Sequence, residues 1–233
     1  MIPLKKIDGN VIDLSVSPLF MQHYANKNSF AQYILDKEIN NGVWYDEILA
    51  KLPEDAVIVD AGSNVGLFSL YLNKKGRKLF CIEPSSSHIS VAQELFKKLG
   101  CEATIWEGVL YNIDGEVRLY ADAGNSTMNR VSESGWLVKA RTLKSFFDIC
   151  RLKSVDLLKL DVEGSEWKII MEDETIGDAL NKCKVVFIET HPGFFGNGDN
   201  EQPMIDKIMS LGFSHTKGTR DCSHYFIKHE VRV

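Results

Sequence analysis

In VIVDAGSNVGLFSLYL, residues 57–72, an apolar run ends on an acid and a glycine turn before a helix begins. The preceding AVIVDA (56–61) has no polar face, so it reads as a strand covered on both sides, at the centre of a parallel sheet. Gly62 and Gly66 bracket the turn, and Leu67 to Asn73 takes up helical spacing. A strand, a glycine turn and a helix in this order open a βαβ unit whose ligand binds over the turn. Glycine is expected there because it permits a sharp bend and lets a ligand approach the backbone.

The same pattern continues toward the C-terminus. KLFCIE (78–83) is a second strand, Ser87 to Leu99 a helix closed by Gly100, and ATIWEG (103–108) a third strand. EVRLY (116–120), after the Asp114-Gly115 turn, and WLVKARTL (136–143) read as an antiparallel hairpin insertion. LKSFFDIC is a helix, VDLLKLD (155–161) a buried strand, EWKIIM a helix and KVVFIET (184–190) another buried strand. Helix Pro203 to Leu211 precedes GFSHTK and SHYFIKH, an antiparallel pair around the TRD turn. The expected class is α/β, Rossmann-like and mostly parallel. Residues 1–52 are expected to form a small helical extension packed over the sheet as a cap, with helices at Ser29–Leu35 and Trp44–Leu52 broken by NNG at 40–42. Residues 53–233 form the main domain.

Composition narrows the function. With 233 residues, 44% hydrophobic and 25% charged, the chain can bury a substantial core. Its net charge of -5 supplies no field for phosphate backbones or anionic lipid, so neither nucleic acid nor membrane is an expected partner. MIPLKKIDGN is no signal segment and no apolar stretch is long enough to span a bilayer, so a cytoplasmic protein is expected. Five dispersed cysteines without a C-x-x-C pair argue against disulfides and zinc.

The turn D-A-G-S-N-V-G lacks the G-x-G-x-x-G spacing of a pyrophosphate site, which points to a ligand without one. Glu83 closes the second strand 21 residues after Gly62, where such folds bind ribose hydroxyls, and a carboxylate can accept two hydrogen bonds from a cis-diol. Adenosine with a charged, phosphate-free tail satisfies both. S-adenosylmethionine is that molecule.

VDAGSNVGLFSLYL, CIEPS, DGEVRLY, GNST (124–127), VKARTL, LLKLDVEGSEW (157–167) and FIETHP (187–192) occur in one order over about residues 55–192. In this the chain resembles the FkbM family of methyltransferases. The resemblance implies a class I methyltransferase fold, a seven-stranded sheet whose last strand is antiparallel, and methyl transfer to a hydroxyl of a sugar, glycan precursor, polyketide or similar small molecule. Carried over by position, Asp60, Gly62, Asn64 and Gly66 would line the methionine and ribose side, Glu83 the ribose diol, and Glu107, Gly108 and Val109 the adenine. Asn125, Ser126 and Thr127 would sit in a polar loop that closes over the cofactor.

LDVEG and ETHP end adjacent strands, which gathers Asp161, Glu163, Glu189 and His191 at one crevice. Methyl transfer to oxygen needs the hydroxyl aligned with the methyl and its proton removed. His191, with an ordinary value near 6.5, is the expected base. Asp161 would orient it or take the proton itself, and Asp161 also borders the cofactor. Glu163 is a further candidate, although one of these acids is expected to cap the next helix. No spacing demands a metal, and none is expected. Tyr24, Phe30, Tyr33, Trp44 and Tyr45 are candidates to wall the acceptor pocket or simply to fill the core. A nucleic-acid methyltransferase would carry a [DNS]-P-P-[YFW] or Pro-Cys motif where this chain has LDVEG. An oxidoreductase or a non-catalytic scaffold on this type of fold completes the alternatives.

Overall fold

All six residues of VDLLKL are buried, including Lys159 and Asp156, and this strand lies at the middle of a seven-stranded sheet. The computed structural model describes residues 1–25, 46–122, 125–194, 200–218 and 220–229. The chain opens with β1 (Pro3–Lys5), β2 (Val11–Asp13) and helix α1 (Pro18–Ala25), and resumes at the short helix α2 (Asp46–Ala50). The βαβ series follows as β3 (Val57–Ala61), α3 (Leu67–Leu72), β4 (Lys78–Glu83), α4 (Ser86–Leu99) and β5 (Ala103–Glu107). An insertion contributes β6 (Val109–Leu110), β7 (Gly115–Asp122), β8 (Asn125–Val131) and β9 (Trp136–Arg141). Then come α5 (Leu143–Ile149), β10 (Val155–Leu160), α6 (Ile176–Leu180), β11 (Cys183–Glu189), α7 (Gln202–Ser210), β12 (Phe213–Lys217) and β13 (Ser223–Lys228).

The main sheet runs β12-β13-β11-β10-β3-β4-β5. Strands β5, β4, β3, β10 and β11 are parallel, while β13 runs against both its neighbours. This is the expected class I arrangement, with the last strand antiparallel. The order reverses between β3 and β10, so their carboxyl ends open a crevice at the switch point.

Successive strand residues serve opposite faces. Ile58 and Leu157 pack with α3, α4 and the N-terminal segment, whereas Val59 and Leu158 pack with α5, α6 and α7. Each fully buried Leu, Ile or Phe contributes about 1.5–3 kcal/mol relative to exposure. The cysteines are free, as expected from their spacing, and burial raises the thiols of Cys81, Cys101 and Cys183. Among the described residues no helix is long and apolar enough to cross a membrane.

Three local expectations change. The extension begins with an antiparallel β1–β2 hairpin rather than a helix, and its Leu4, Leu14 and Phe20 are fully buried. It lies on the α3 and α4 layer, where Ile7 N donates to Tyr71 O and Leu19 N to Glu94 Oε2. The helix expected at Ser29–Leu35, the NNG break, and Phe30, Tyr33, Trp44 and Tyr45 lie outside the described residues; of the helix expected at Trp44–Leu52, Asp46–Ala50 forms α2 and Lys51 and Leu52 lie past its end. Tyr24 packs on Phe20 in the core. Next, the insertion is a separate four-stranded sheet, β6-β9-β7-β8, with β6 parallel to β9 and the other pairs antiparallel. Asn125, Ser126 and Thr127 belong to its strand β8, not to a loop, because β7 offers them a pairing partner; Asn125 pairs with Asp122. Finally, EWKIIM is mostly a π-helical turn, Lys168–Glu172.

Candidate active site

The turn between β3 and α3 is tied to β4, since Gly62 N and Ser63 N both donate to Ile82 O. Gly62 has φ +77, and a Cβ there would lie 1.7 Å from Asp161 O. Gly66 has φ +80, and a Cβ there would lie 2.5 Å from the Phe96 ring of α4. Both glycines are therefore required by the sharp turn, as expected, and by the protein's own packing, a reason the sequence did not show. Asn64, also at positive φ, presents its N–H to Glu83 Oε2 at 3.0 Å.

Glu83 is buried, and its other oxygen accepts from Ser85 N at 3.0 Å and His88 Nδ1 at 3.1 Å. A carboxylate has about four acceptor positions, so about one is left for a hydroxyl. The two-bond grip on a diol expected from sequence would require one of these N–H groups to let go. Glu107 pairs with Glu83 in register, and Gly108 N donates to Glu83 O. Beside them a cavity of about 480 Å³ opens between Pro84–Ser86 and the β9 edge at Leu137–Lys139. Val109 is withdrawn from it, buried with Val117 and Val138 in the core of the small sheet.

At the switch point Asp60 is fully buried. Its Oδ2 accepts from Ser69 Oγ at 2.7 Å, while its Oδ1 has no hydrogen bond among the described residues and faces Lys159 Nζ at 3.6 Å. Burial raises the Asp60 carboxyl, with Lys159 and Ser69 opposing. The same Nζ donates to Asp161 Oδ2 at 3.0 Å. For Lys159 burial works against the charge, but Asp161 and Asp60 outweigh it and hold the ammonium above its ordinary value. For Asp161 burial opposes ionisation, and Lys159 and His191 outweigh it, keeping the carboxyl below the usual range.

His191, just past β11, faces three carboxylates. Its Nδ1 donates to Glu166 Oε1 at 3.0 Å, and Nε2 lies 3.8 Å from Asp161 Oδ1 and 3.5 Å from Glu163 Oε2. Glu166 is wholly buried and also accepts from Val162 N and Gly164 N, so Glu166, and neither Asp161 nor Glu163, caps this turn. Burial lowers the His191 value, but the hydrogen bond and charge of Glu166, then Asp161 and Glu163, push it up to about 10. That departs from the neutral base expected of an unperturbed imidazole: near pH 7 the ring is a cation. Burial pushes Glu163 up to about 8, against the pull of His191. Donors of Asp161, Glu163 and His191 lie within 4.8 Å of one another, a span a divalent ion could bridge. The imidazolium already supplies positive charge at that place.

Asp60, Asp161, Glu163 and His191 thus gather at the crevice, with Asn64 and Glu83 on its β3–β4 side. Glu189 turns instead to Arg220 in an ion pair, and Thr190 Oγ1 donates to Glu201 Oε2 at 2.7 Å, anchoring the segment before His191. Sequence reasoning missed Lys159, Glu166, His88 and Arg220. A lysine inside an otherwise apolar strand was the available signal for the first, because lysine is rarely fully buried unless paired.

Residues 60–218 match the profile described as the methyltransferase FkbM domain. The chain belongs to the FkbM methyltransferase family. Among its relatives, Methyltransferase sdnD of Sordaria araneosa is 31% identical over 188 residues, covering 64% of this chain and 71% of that one. Methyltransferase 1 of Beauveria bassiana (strain ARSEF 2860) is 29% identical over 169 residues, covering 60% and 67%. Among solved structures, a TehB-like SAM-dependent methyltransferase from Corynebacterium glutamicum aligns with TM-score 0.45 at 16% identity, over 93% of this chain and 100% of that one. Monomeric WbdD aligns with TM-score 0.47 at 17% identity over 74% of this chain, which spans 36% of WbdD. Alignments this loose say nothing of function, and the fold assignment stands on the strand order itself. As an FkbM-family methyltransferase the protein uses S-adenosylmethionine.

Proposed function

We propose that this FkbM-family enzyme methylates a hydroxyl oxygen of a small molecule such as a sugar, a glycan precursor or a polyketide, with Glu163 as the group that takes the hydroxyl proton. The observation that carries this reading is the Glu163 carboxyl, 3.5 Å from the His191 ring at the crevice and pushed up by burial to about 8. A base works best when its value lies near the working pH.

The residues present fit the cofactor. Asp60 Oδ1, buried and without a hydrogen bond among the described residues, suits the α-ammonium through water. The spare acceptor position on Glu83 suits a ribose hydroxyl, Asn64 and the glycine turn border the tail, and the cavity beside Glu107 and Gly108 suits the adenine. When bound, S-adenosylmethionine supplies an electrophilic methyl on a sulfonium. The protein's part is to hold the acceptor oxygen in line and remove its proton. In this scheme ionised Glu163 accepts that proton, and His191, cationic and locked by Glu166, holds the Glu163 and Asp161 carboxylates facing the crevice. Asp161, kept ionised by Lys159, stabilises that cation. His191 is thus assigned a charge-holding role in place of the expected base.

The test is a transfer assay with labelled S-adenosylmethionine against extracts enriched in sugars and glycolipid precursors, with mass analysis of products. The expected product gains one methylene on oxygen. Methyl found only on nitrogen, or salt-sensitive transfer to RNA or DNA alone, would sink the reading.

A further inference from the structure

Lys159 stands opposite Asp60 in the β3–β10 register and is 4% exposed, with no water-facing outlet for its charge. Its ammonium meets Asp161 Oδ2 at 3.0 Å, Asp60 Oδ1 at 3.6 Å and the face of the Phe68 ring at 5.5 Å. These partners come from three elements that build different parts of the crevice: β3 at the cofactor turn, α3 behind that turn, and the end of β10 on the acceptor side. A buried ammonium is costly unless paired, and here the pairing is divided between two carboxylates on neighbouring strands. Among the described residues Asp60 Oδ1 has no hydrogen bond, and the other oxygen of Asp161 lies 3.8 Å from His191 Nε2, with Arg220 adding a further positive charge near that carboxylate.

We propose that Lys159 is a positioning residue for methyl transfer, whose ammonium clamps Asp60 and Asp161 together and so fixes the cofactor turn relative to the acceptor-side carboxylate. Held by one oxygen, Asp161 presents the other to His191 at a set distance. Released, it is free to rotate onto the imidazole and abandon the β3 side. Lys159 touches no reacting atom in this scheme; it acts through the two acids. The inference rests on the assignment of Asp60 and Asp161 to the cofactor and acceptor sides of the crevice.

The test compares Lys159→Met and Lys159→Gln with the unaltered protein, first confirming folding by circular dichroism and thermal melting. Two further readouts are the affinity for S-adenosylmethionine by titration calorimetry and the carbon-13 resonances of labelled His191, assigned by their loss in His191→Asn. The expected result is a folded Lys159→Met protein with S-adenosylmethionine affinity reduced at least tenfold and the His191 resonance displaced. Lys159→Gln, which keeps a donor, recovers part of both. A lowered melting temperature with unchanged affinity and an unmoved His191 signal would make Lys159 merely structural and overturn the proposal. Should Lys159→Met not fold, Asp60→Asn/Lys159→Met removes ammonium and unpaired acid together. There a displaced His191 signal supports the clamp, and an unmoved one overturns it. Failure of the unaltered protein to bind S-adenosylmethionine would instead strike the cofactor assignment beneath the proposal.

Discussion

At pH 7 an imidazole held up to about 10 is a cation, and a carboxyl held up to about 8 is mostly protonated. For Glu163 as base, activity should therefore rise through a midpoint near pH 8, and Glu163→Gln should lower kcat roughly 100-fold to 10,000-fold with folding intact. Rate against pH, measured on the acceptor from the extract screen, checks both; a flat profile would remove Glu163 from the role. Stability runs the other way. The folded values of Glu163 and His191 lie above their ordinary 4.5 and 6.5, so the folded protein keeps protons that the unfolded chain has released. Their stabilising contributions are complete below those ordinary values and are lost as pH rises through about 8 and about 10 respectively. Melting temperature should fall over this range, and His191→Gln should flatten the limb above pH 8. Magnesium titrated calorimetrically near pH 7 should give no saturable heat, since the imidazolium sits among the donors; saturable binding would replace it with a metal. The LDVEG and ETHP motifs could place these acids and His191 at adjacent strand ends but could not say which acid met the imidazole. Asp161, Glu163 and Glu166 crowd six positions, and positive φ at Glu163 and Gly164 decides which way each points.

The elements that sequence made legible are those with long, uniform patterns. VDLLKL and KVVFIE are too apolar for anything but central strands, and the helix ending at Leu99 stops at Gly100, which takes φ +64. The N-terminal hairpin escaped because its strands are three residues each, too short for alternation to register. Its signal was Asp8-Gly9-Asn10, where Gly9 has φ +82 and Asp8 accepts from Asn10 N. Strand β8, NSTMNRV, reads as a loop by composition and becomes a strand because β7 gives it a partner, a tertiary effect that propensity cannot contain. The hairpin and α1 carry real stability. Phe20→Ala, emptying a site with no solvent access, should cost about 3–5 kcal/mol in denaturant unfolding. A change under 1 kcal/mol would mean that α1 is peripheral.

For the whole molecule, the strand order puts the crevice at the reversal between β3 and β10, and the order of motifs from VDAGSNVG to FIETHP made that arrangement readable in advance. The acceptor was not readable: the extension, the insertion and the loops near His191, expected to form its pocket, name no substrate, since side-chain direction there depends on packing between segments distant in sequence. Cofactor binding should be visible globally. At 100 times its Kd, S-adenosylmethionine should add about 2.7 kcal/mol, raising the melting temperature by about 5–10 °C. No shift at saturating cofactor would contradict the assignment.

The main-chain carbonyl of Asp161 occupies the space beside Gly62 where any other residue would carry a side chain. Anyone redesigning the enzyme for a new acceptor therefore inherits a fixed backbone path at position 161, whichever side chains are exchanged elsewhere. Moving it would shift the glycine turn as well, so, with the cofactor over that turn as proposed, selectivity and cofactor affinity should be traded together in engineered variants.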